Sequence, residues 1–212
     1  MTLLAESEFK LCLKQFIDVS NEIKDTWEIV SLDEPHKHDE RQEYMIKRNV
    51  SRLLECPQQS GVEDTVLQYD EGWTQETDED DVMAEEQTTG GGILCTYEYH
   101  VVYSHSYAVP VLYFNACKPD GQLLSLDEVW EMIPDHYQTR LQHERWTFIT
   151  QQEHPILGRP FFTLHPCHTA DLMKTVLTNK TIRSSYLVSW LSSVGPVVGL
   201  ELSLDYAKLC KD

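Results

Sequence analysis

The chain has 212 residues and a mass of 24.6 kDa, enough for one well-buried domain with insertions, with little room for a second independent core. Its 41% hydrophobic content, with five Trp and ten Tyr, argues against a disordered chain, and no run approaches the roughly 18 apolar residues a membrane span needs. A formal charge of -18 with pI ≈ 4.8 repels a phosphate backbone, which disfavours nucleic acid as a partner and favours basic protein surfaces.

The amino-terminal MTLLAESEFK lacks a basic segment followed by a sustained apolar run, so no secretion signal is expected. Six cysteines (Cys12, Cys56, Cys95, Cys117, Cys167, Cys210) are scattered without a CxxC pair. That argues against a zinc ribbon or a dense disulfide framework and for a reducing, cytoplasmic setting.

From Ser7 to about Lys24, Phe9, Cys12, Leu13, Phe16, Ile17 and Ile23 recur near helical spacing, which predicts an amphipathic first helix with Ser7 as its cap. WEIV at Trp27 to Val30 and YMIKRNVSRLL from Tyr44 read as two strands of an antiparallel hairpin around the polar turn HKHDERQ. Between Arg52 and Lys118 there is no lysine or arginine, while QETDEDDVMAEEQ concentrates acid and three glycines follow at Gly90, Gly91 and Gly92. A like-charge block bounded by glycines predicts a solvated, mobile insertion at about 60–92. It is a solubilising segment in the first reading and a docking site for a basic partner in the second.

YEYHVVYSHSY and VPVLYFNA are rich in strand formers and predict the central antiparallel strands, reversed at SHSYA. KPDGQ is a turn, and Ser125 with Glu128 makes a capping box for a helix through Val129, Trp130 and Ile133 that Pro134 ends. WTFITQQEHPILGRPFFTLHPC is proline-punctuated and reads as short extended pieces and ordered loop. After Cys167, Leu172, Met173, Val176 and Leu177 share a helical face, and Tyr186, Leu187, Trp190, Leu191 and Val194 predict a further helix stopped by Gly195 and Pro196. The tail from Val197 to Lys208 fits no single element. Helix, consecutive strands, then helices amount to an α+β domain spanning 1–212, with helices gathered on one side of a meander.

Neither GxxxxGK[ST] nor GxGxxG is present, so nucleotide binding has no sequence support. The densest chemistry is ILGRPFFTLHPCHTA, where Cys167 lies between His165-Pro166 and His168. Three readings stand: nucleophile, zinc ligand or buried thiol. A phosphatase loop needs glycine and arginine after its cysteine, whereas HTADLMK follows here. Zinc has His165, Cys167, His168 and His154 as ligand types, but a structural site usually takes four, often as spaced pairs. Burial is the reading for Cys12, Cys95, Cys117 and Cys210. Cys167 differs, because Pro166 breaks strand pairing and the amides of a following helix, capped by Thr169 or His168, favour a thiolate. His165, two residues away on extended chain, shares its side and is a candidate proton relay.

LHPC after EHP, together with YEYHVVYSHSYAVPVLYF, ITQQEHPILGRPFF and SWLSSVGPVVGLELSLDYAK, resembles the autophagy-related protein 10 family, the ubiquitin-like-conjugating enzymes of autophagy. The match runs from about Tyr97 onward and is looser before it. The resemblance implies a variant of the ubiquitin-conjugating-enzyme fold, an antiparallel sheet with flanking helices, and no cofactor or metal. It implies that Cys167 takes the carboxy-terminal glycine of autophagy-related protein 12 as a thioester, from autophagy-related protein 7, and passes it to a lysine of autophagy-related protein 5. Ordinary ubiquitin-conjugating enzymes carry HPN several residues before their cysteine; here HP adjoins it, which leaves the oxyanion donor unassigned. Asn115, a backbone amide or the Gln151 to His154 segment are the candidates for that role, and Tyr103 or Tyr107 for placing the lysine. The alternatives are a non-catalytic adaptor with this fold and the longer sibling, autophagy-related protein 3, which also stands as a candidate partner.

Overall fold

The computed structural model describes residues 4–33, 41–55, 92–135, 137–138, 148–166, 169, 173 and 186–210. The acidic insertion apart from Gly92, the turn at 36–40, and Leu172, Val176 and Leu177 lie outside the described residues. Helix α1 spans Glu6–Glu22 and buries Phe9, Cys12, Leu13, Phe16 and Val19, the i, i+3, i+4, i+7 stripe expected of an amphipathic helix. Its start corrects the Ser7 expectation. Ala5 is the extended residue before the first turn and has no side-chain oxygen to offer; instead Glu8 reaches back and accepts the Ala5 N–H at 3.0 Å. Glu6 and Glu8 complement the positive end of the helix, which lets it open without a hydroxyl cap. Lys24, at φ 58°, ends it.

Six strands form one antiparallel sheet among the described residues: β1 (Trp27–Asp33), β2 (Arg41–Glu55), β3 (Gly92–Ser104), β4 (Val109–Cys117), β5 (Ile149–Glu153) and β6 (Pro160–Leu164). The spatial order is β1-β2-β3-β4-β6-β5. The expected hairpin and central strands are therefore present, and the meander holds through β4. The Ile149–Leu164 stretch read as extended pieces forms a full hairpin whose second strand pairs with β4. Composition explains the swap. PFFTL is buried on both faces in residues 161–164, as an interior strand must be, whereas Gln151, Gln152 and Glu153 of β5 are exposed along the edge.

Alternation divides the two faces of the sheet. Cys95, Tyr97, Tyr99 and Val101 of β3 join the main core with α1, helix α2 (Leu126–Glu131) and helix α3 (Tyr186–Val194). Tyr44, Ile46 and Val102 point the other way, into a smaller cluster under Ile156. The Ser125 capping box is present in both directions, Glu128 N–H to Ser125 Oγ at 3.2 Å and Ser125 N–H to Glu128 at 2.7 Å. No described helix is long and apolar enough to cross a membrane.

The tail resolves into two 3-10 turns, Gly195–Val198 and Leu204–Cys210. Tyr206 of the second stacks on Phe16 at 4.4 Å and donates to Asp25 at 2.8 Å, anchoring the carboxy-terminal segment on α1. Between the two turns Gly199 adopts φ +74°, and a Cβ there would lie 0.9 Å from Nη1 of Arg52. That guanidinium sits over the Tyr97 ring at 5.7 Å. Gly199→Ala combines a left-handed backbone with displacement of a packed arginine, and should cost about 2–4 kcal/mol of stability. Urea unfolding of the two proteins checks this, and a loss under about 0.5 kcal/mol would show that the close approach is not tight.

Candidate active site

Strand β6 delivers the chemistry-bearing stretch to one end of the sheet. Pairing with β4 (Phe162 with Phe114, Thr163 with Tyr113) and β5 fixes it from both sides, and the buried Thr163 hydroxyl adds a bond to the Leu112 carbonyl at 3.2 Å. One residue past the strand, the His165 N–H still bonds Phe148 O at 2.9 Å. Pro166 is buried, and its carbonyl accepts the Thr169 N–H at 3.1 Å. Cys167 and His168 lie outside the described residues; Thr169 and Met173 beyond them are buried. A proline with no N–H to lose is therefore the residue at which the ladder stops.

The same end of the sheet carries the β3–β4 turn. Tyr107, 45% exposed, stands edge-on to His165 with ring centroids 5.9 Å apart. Tyr103 is on that end too, but its hydroxyl donates to Leu4 O at 2.7 Å and its ring packs on Phe9. Burial pushes its phenol up. The structure thus brings Tyr107, His165 and Pro166 together.

It does not bring Asn115 or His154 to them. Asn115 Nδ2 donates to Pro160 O at 3.2 Å, at the start of β6, some 16 Å along the strand from His165 at about 3.3 Å per residue. His154 closes that same distal end, fully buried and ringed by Tyr44, Tyr113 and Phe161. Its Nδ1 accepts the N–H groups of Ile156 at 3.3 Å and Leu157 at 3.2 Å. Two donors on Nδ1 place the proton on Nε2, which donates to His100 Nδ1 at 3.0 Å. His100 Nε2 then donates to Glu98 at 2.9 Å, and Glu98 also accepts from Arg48 Nε at 3.2 Å. Burial, then the neighbouring His100 and Arg159, lower the His154 pKa to about 4. The hydrogen bond from His100 leads the causes that hold Glu98 below the usual carboxylate range. This chain of residues is satisfied at every link and its members other than His154 were not anticipated. The signal was present in YEYHVV, since Glu98 and His100 are i and i+2 on a strand and must share a face.

Burial separates the described thiols. Cys12 is buried, and desolvation raises it to about 11; burial raises Cys95 as well. Cys117 is half-buried and Cys210 exposed.

The chain matches the family described as "Autophagocytosis associated protein, active-site domain" over residues 8–205. It is 41% identical over 213 residues to the ubiquitin-like-conjugating enzyme ATG10 of Homo sapiens, covering 97% of this chain and 93% of that one. It is 47% identical over 117 residues to the ATG10 enzyme of Arabidopsis thaliana, 51% of each chain. Autophagy-related protein 3 of Pichia angusta is 27% identical over 132 residues, 57% of this chain and 37% of that one. The coverage by the human relative and the span of the family match leave one assignment: the chain belongs to the autophagocytosis-associated, active-site-domain family and, within it, to the ATG10 group of ubiquitin-like-conjugating enzymes.

Proposed function

We propose that Cys167 carries autophagy-related protein 12 as a thioester. Its thiolate attacks the thioester carbonyl on autophagy-related protein 7, whose cysteine leaves as thiolate. A neutral lysine amine of autophagy-related protein 5 then attacks the new thioester, an amide forms, Cys167 leaves as thiolate and the amine gives up a proton. The first exchange swaps one thioester for another and is nearly balanced, and the second needs orientation and desolvation of the amine more than a strong base. The reaction takes place in the cytoplasm, on one conjugating domain interrupted by the interval at about 60–92, and needs no cofactor on this chain.

One observation carries the reading: 41% identity to a conjugating enzyme along 97% of the chain. It is supported by the position of His165 and Pro166 directly after the firmly paired end of β6. Tyr107 is the tyrosine best placed to guide the incoming lysine, since it is exposed beside His165 while the Tyr103 hydroxyl is engaged by Leu4. His165 holds the strand end through its N–H, and Asn115 and His154 act as packing residues of the distal end.

The test is to incubate the chain with modifier, activating enzyme and ATP, and to compare gels with and without thiol reductant. A reductant-labile adduct is expected on the wild type, and a reductant-resistant ester or no adduct on Cys167→Ser. An unchanged labile adduct on the variant would refute the assignment. A chain that forms no adduct at all, yet binds the same partners, would be an adaptor.

A further inference from the structure

Among the described residues, the helices cover one face of the sheet, and the other is covered at one end only. There the His154-to-Leu157 turn lies over Tyr44, His100 and Val102. Beyond it the face opens into a groove of about 360 Å³ floored by Thr96, Asn115, Cys117 and Phe161. Leu53 and Leu94 pair across β2 and β3 on this face, 58% and 53% exposed, and Leu123 at the groove's margin is 48% exposed. Three exposed leucines beside a groove are more than scattered surface apolarity.

Charge narrows the occupant. In a chain with 35 acidic residues against 17 basic ones, two arginines line this groove. Arg159 is exposed and makes no ion pair among the described residues. Arg48 is half-exposed and held by Glu98 at 3.2 Å, with Glu28 at 3.4 Å. Glu98 is itself fixed by the buried His100, so the Arg48 wall is built rather than incidental. We propose that this half-face docks an extended acidic segment of a partner protein, with apolar side chains on Leu53, Leu94 and Leu123 and a carboxylate at Arg159. A neighbouring acid can then share Arg48 with Glu98.

The test uses a phage-displayed random heptapeptide library selected on the wild-type chain, with counter-selection on Arg159→Glu. Peptides combining Asp or Glu with apolar residues are expected. A synthesised member should lose at least about tenfold in affinity with Arg159→Glu, and with Leu94→Asp or Leu123→Asp, and should weaken as salt is raised. Leu11→Asp, on α1 and similarly exposed at 57%, should change nothing. Thermal melts establish that each variant is folded. Failure to enrich acidic peptides, or binding indifferent to Arg159→Glu, overturns the proposal. So do two other results: dimerisation lost with Leu94→Asp, which makes the occupant a second copy, or binding that appears only when residues 60–88 are removed, which makes it the chain's own interval.

Discussion

Cys167→Ala should abolish modification of the acceptor, lowering the transfer rate at least about 10³-fold, equivalent to some 4 kcal/mol of barrier. Under the proposed function an alanine side chain can form no thioester, so the loss is all or nothing rather than graded. The other thiols make the experiment discriminating. A thiol raised to about 11, as in Cys12, is almost entirely protonated at neutral pH and is sealed in the main core besides. Cys12→Ala should therefore cost stability, about 1–2 kcal/mol for the lost packing, and leave transfer per folded molecule unchanged. Cys95→Ala falls in the same class. Cys210 is exposed in the last 3-10 turn, and its replacement should alter neither property. The measurements are adduct yield on non-reducing gels, single-turnover transfer, and urea unfolding for each variant. Transfer that survives Cys167→Ala, or disappears with Cys210→Ala, would move the chemistry to another thiol.

How much of this was legible in the residues varies by element. The α1 stripe and the Ser125 capping box follow from local periodicity and spacing, and both are present. Ser7 was misread because a side-chain oxygen near the start of a stripe is a common cap, while the acid at Glu8 can satisfy the same end from inside the helix. The β6-before-β5 order depends on which of two short strands is buried on both faces, a tertiary property that PFFTL against ITQQE hints at without determining. Tyr206 illustrates the limit. Nothing local marks a tail tyrosine as a core residue, and only the fold brings it to Phe16 and Asp25, some 180 residues away. At the candidate site, spacing singled out Cys167 and left three chemistries open; the resemblance chose among them. Tyr107 and His165 meet because the β3–β4 turn and the residue directly after β6, far apart in sequence, lie at the same end of the sheet, which no pattern in either strand reveals.

The second large effect lies at the other end of β6, where His154→Ala should destabilise the chain by about 3–5 kcal/mol. The deletion leaves the N–H groups of Ile156 and Leu157 and the Nδ1 of His100 without partners in a dry cluster, and removes a ring packed against three aromatics. His154→Asn should recover part of the loss, because an amide oxygen can accept from the same two N–H groups. The histidine also writes a pH signature. Its pKa is near 6.5 when unfolded and about 4 when folded, so between those values the unfolded chain binds the proton that the folded chain refuses. Stability then rises with pH across that window, and the contribution is complete above about 6.5 and lost as pH falls toward 4. At roughly 1.4 kcal/mol per unit the full change over the window is on the order of 3.5 kcal/mol. Asp25 and Glu98 have lowered pKa values; their contributions are present above the ordinary carboxylate range and fail only below it, so they stay constant from pH 5 to 7. The difference in unfolding free energy between the wild type and His154→Asn should therefore grow across that interval and level off above it. A difference that stays flat from pH 5 to 7 would mean that His154 takes up its proton as readily in the folded chain as in the unfolded one, and that burial does not hold it neutral. A difference that falls as pH rises would mean that the folded chain binds the proton, and the donor order inferred for His154, His100 and Glu98 would have to be reversed.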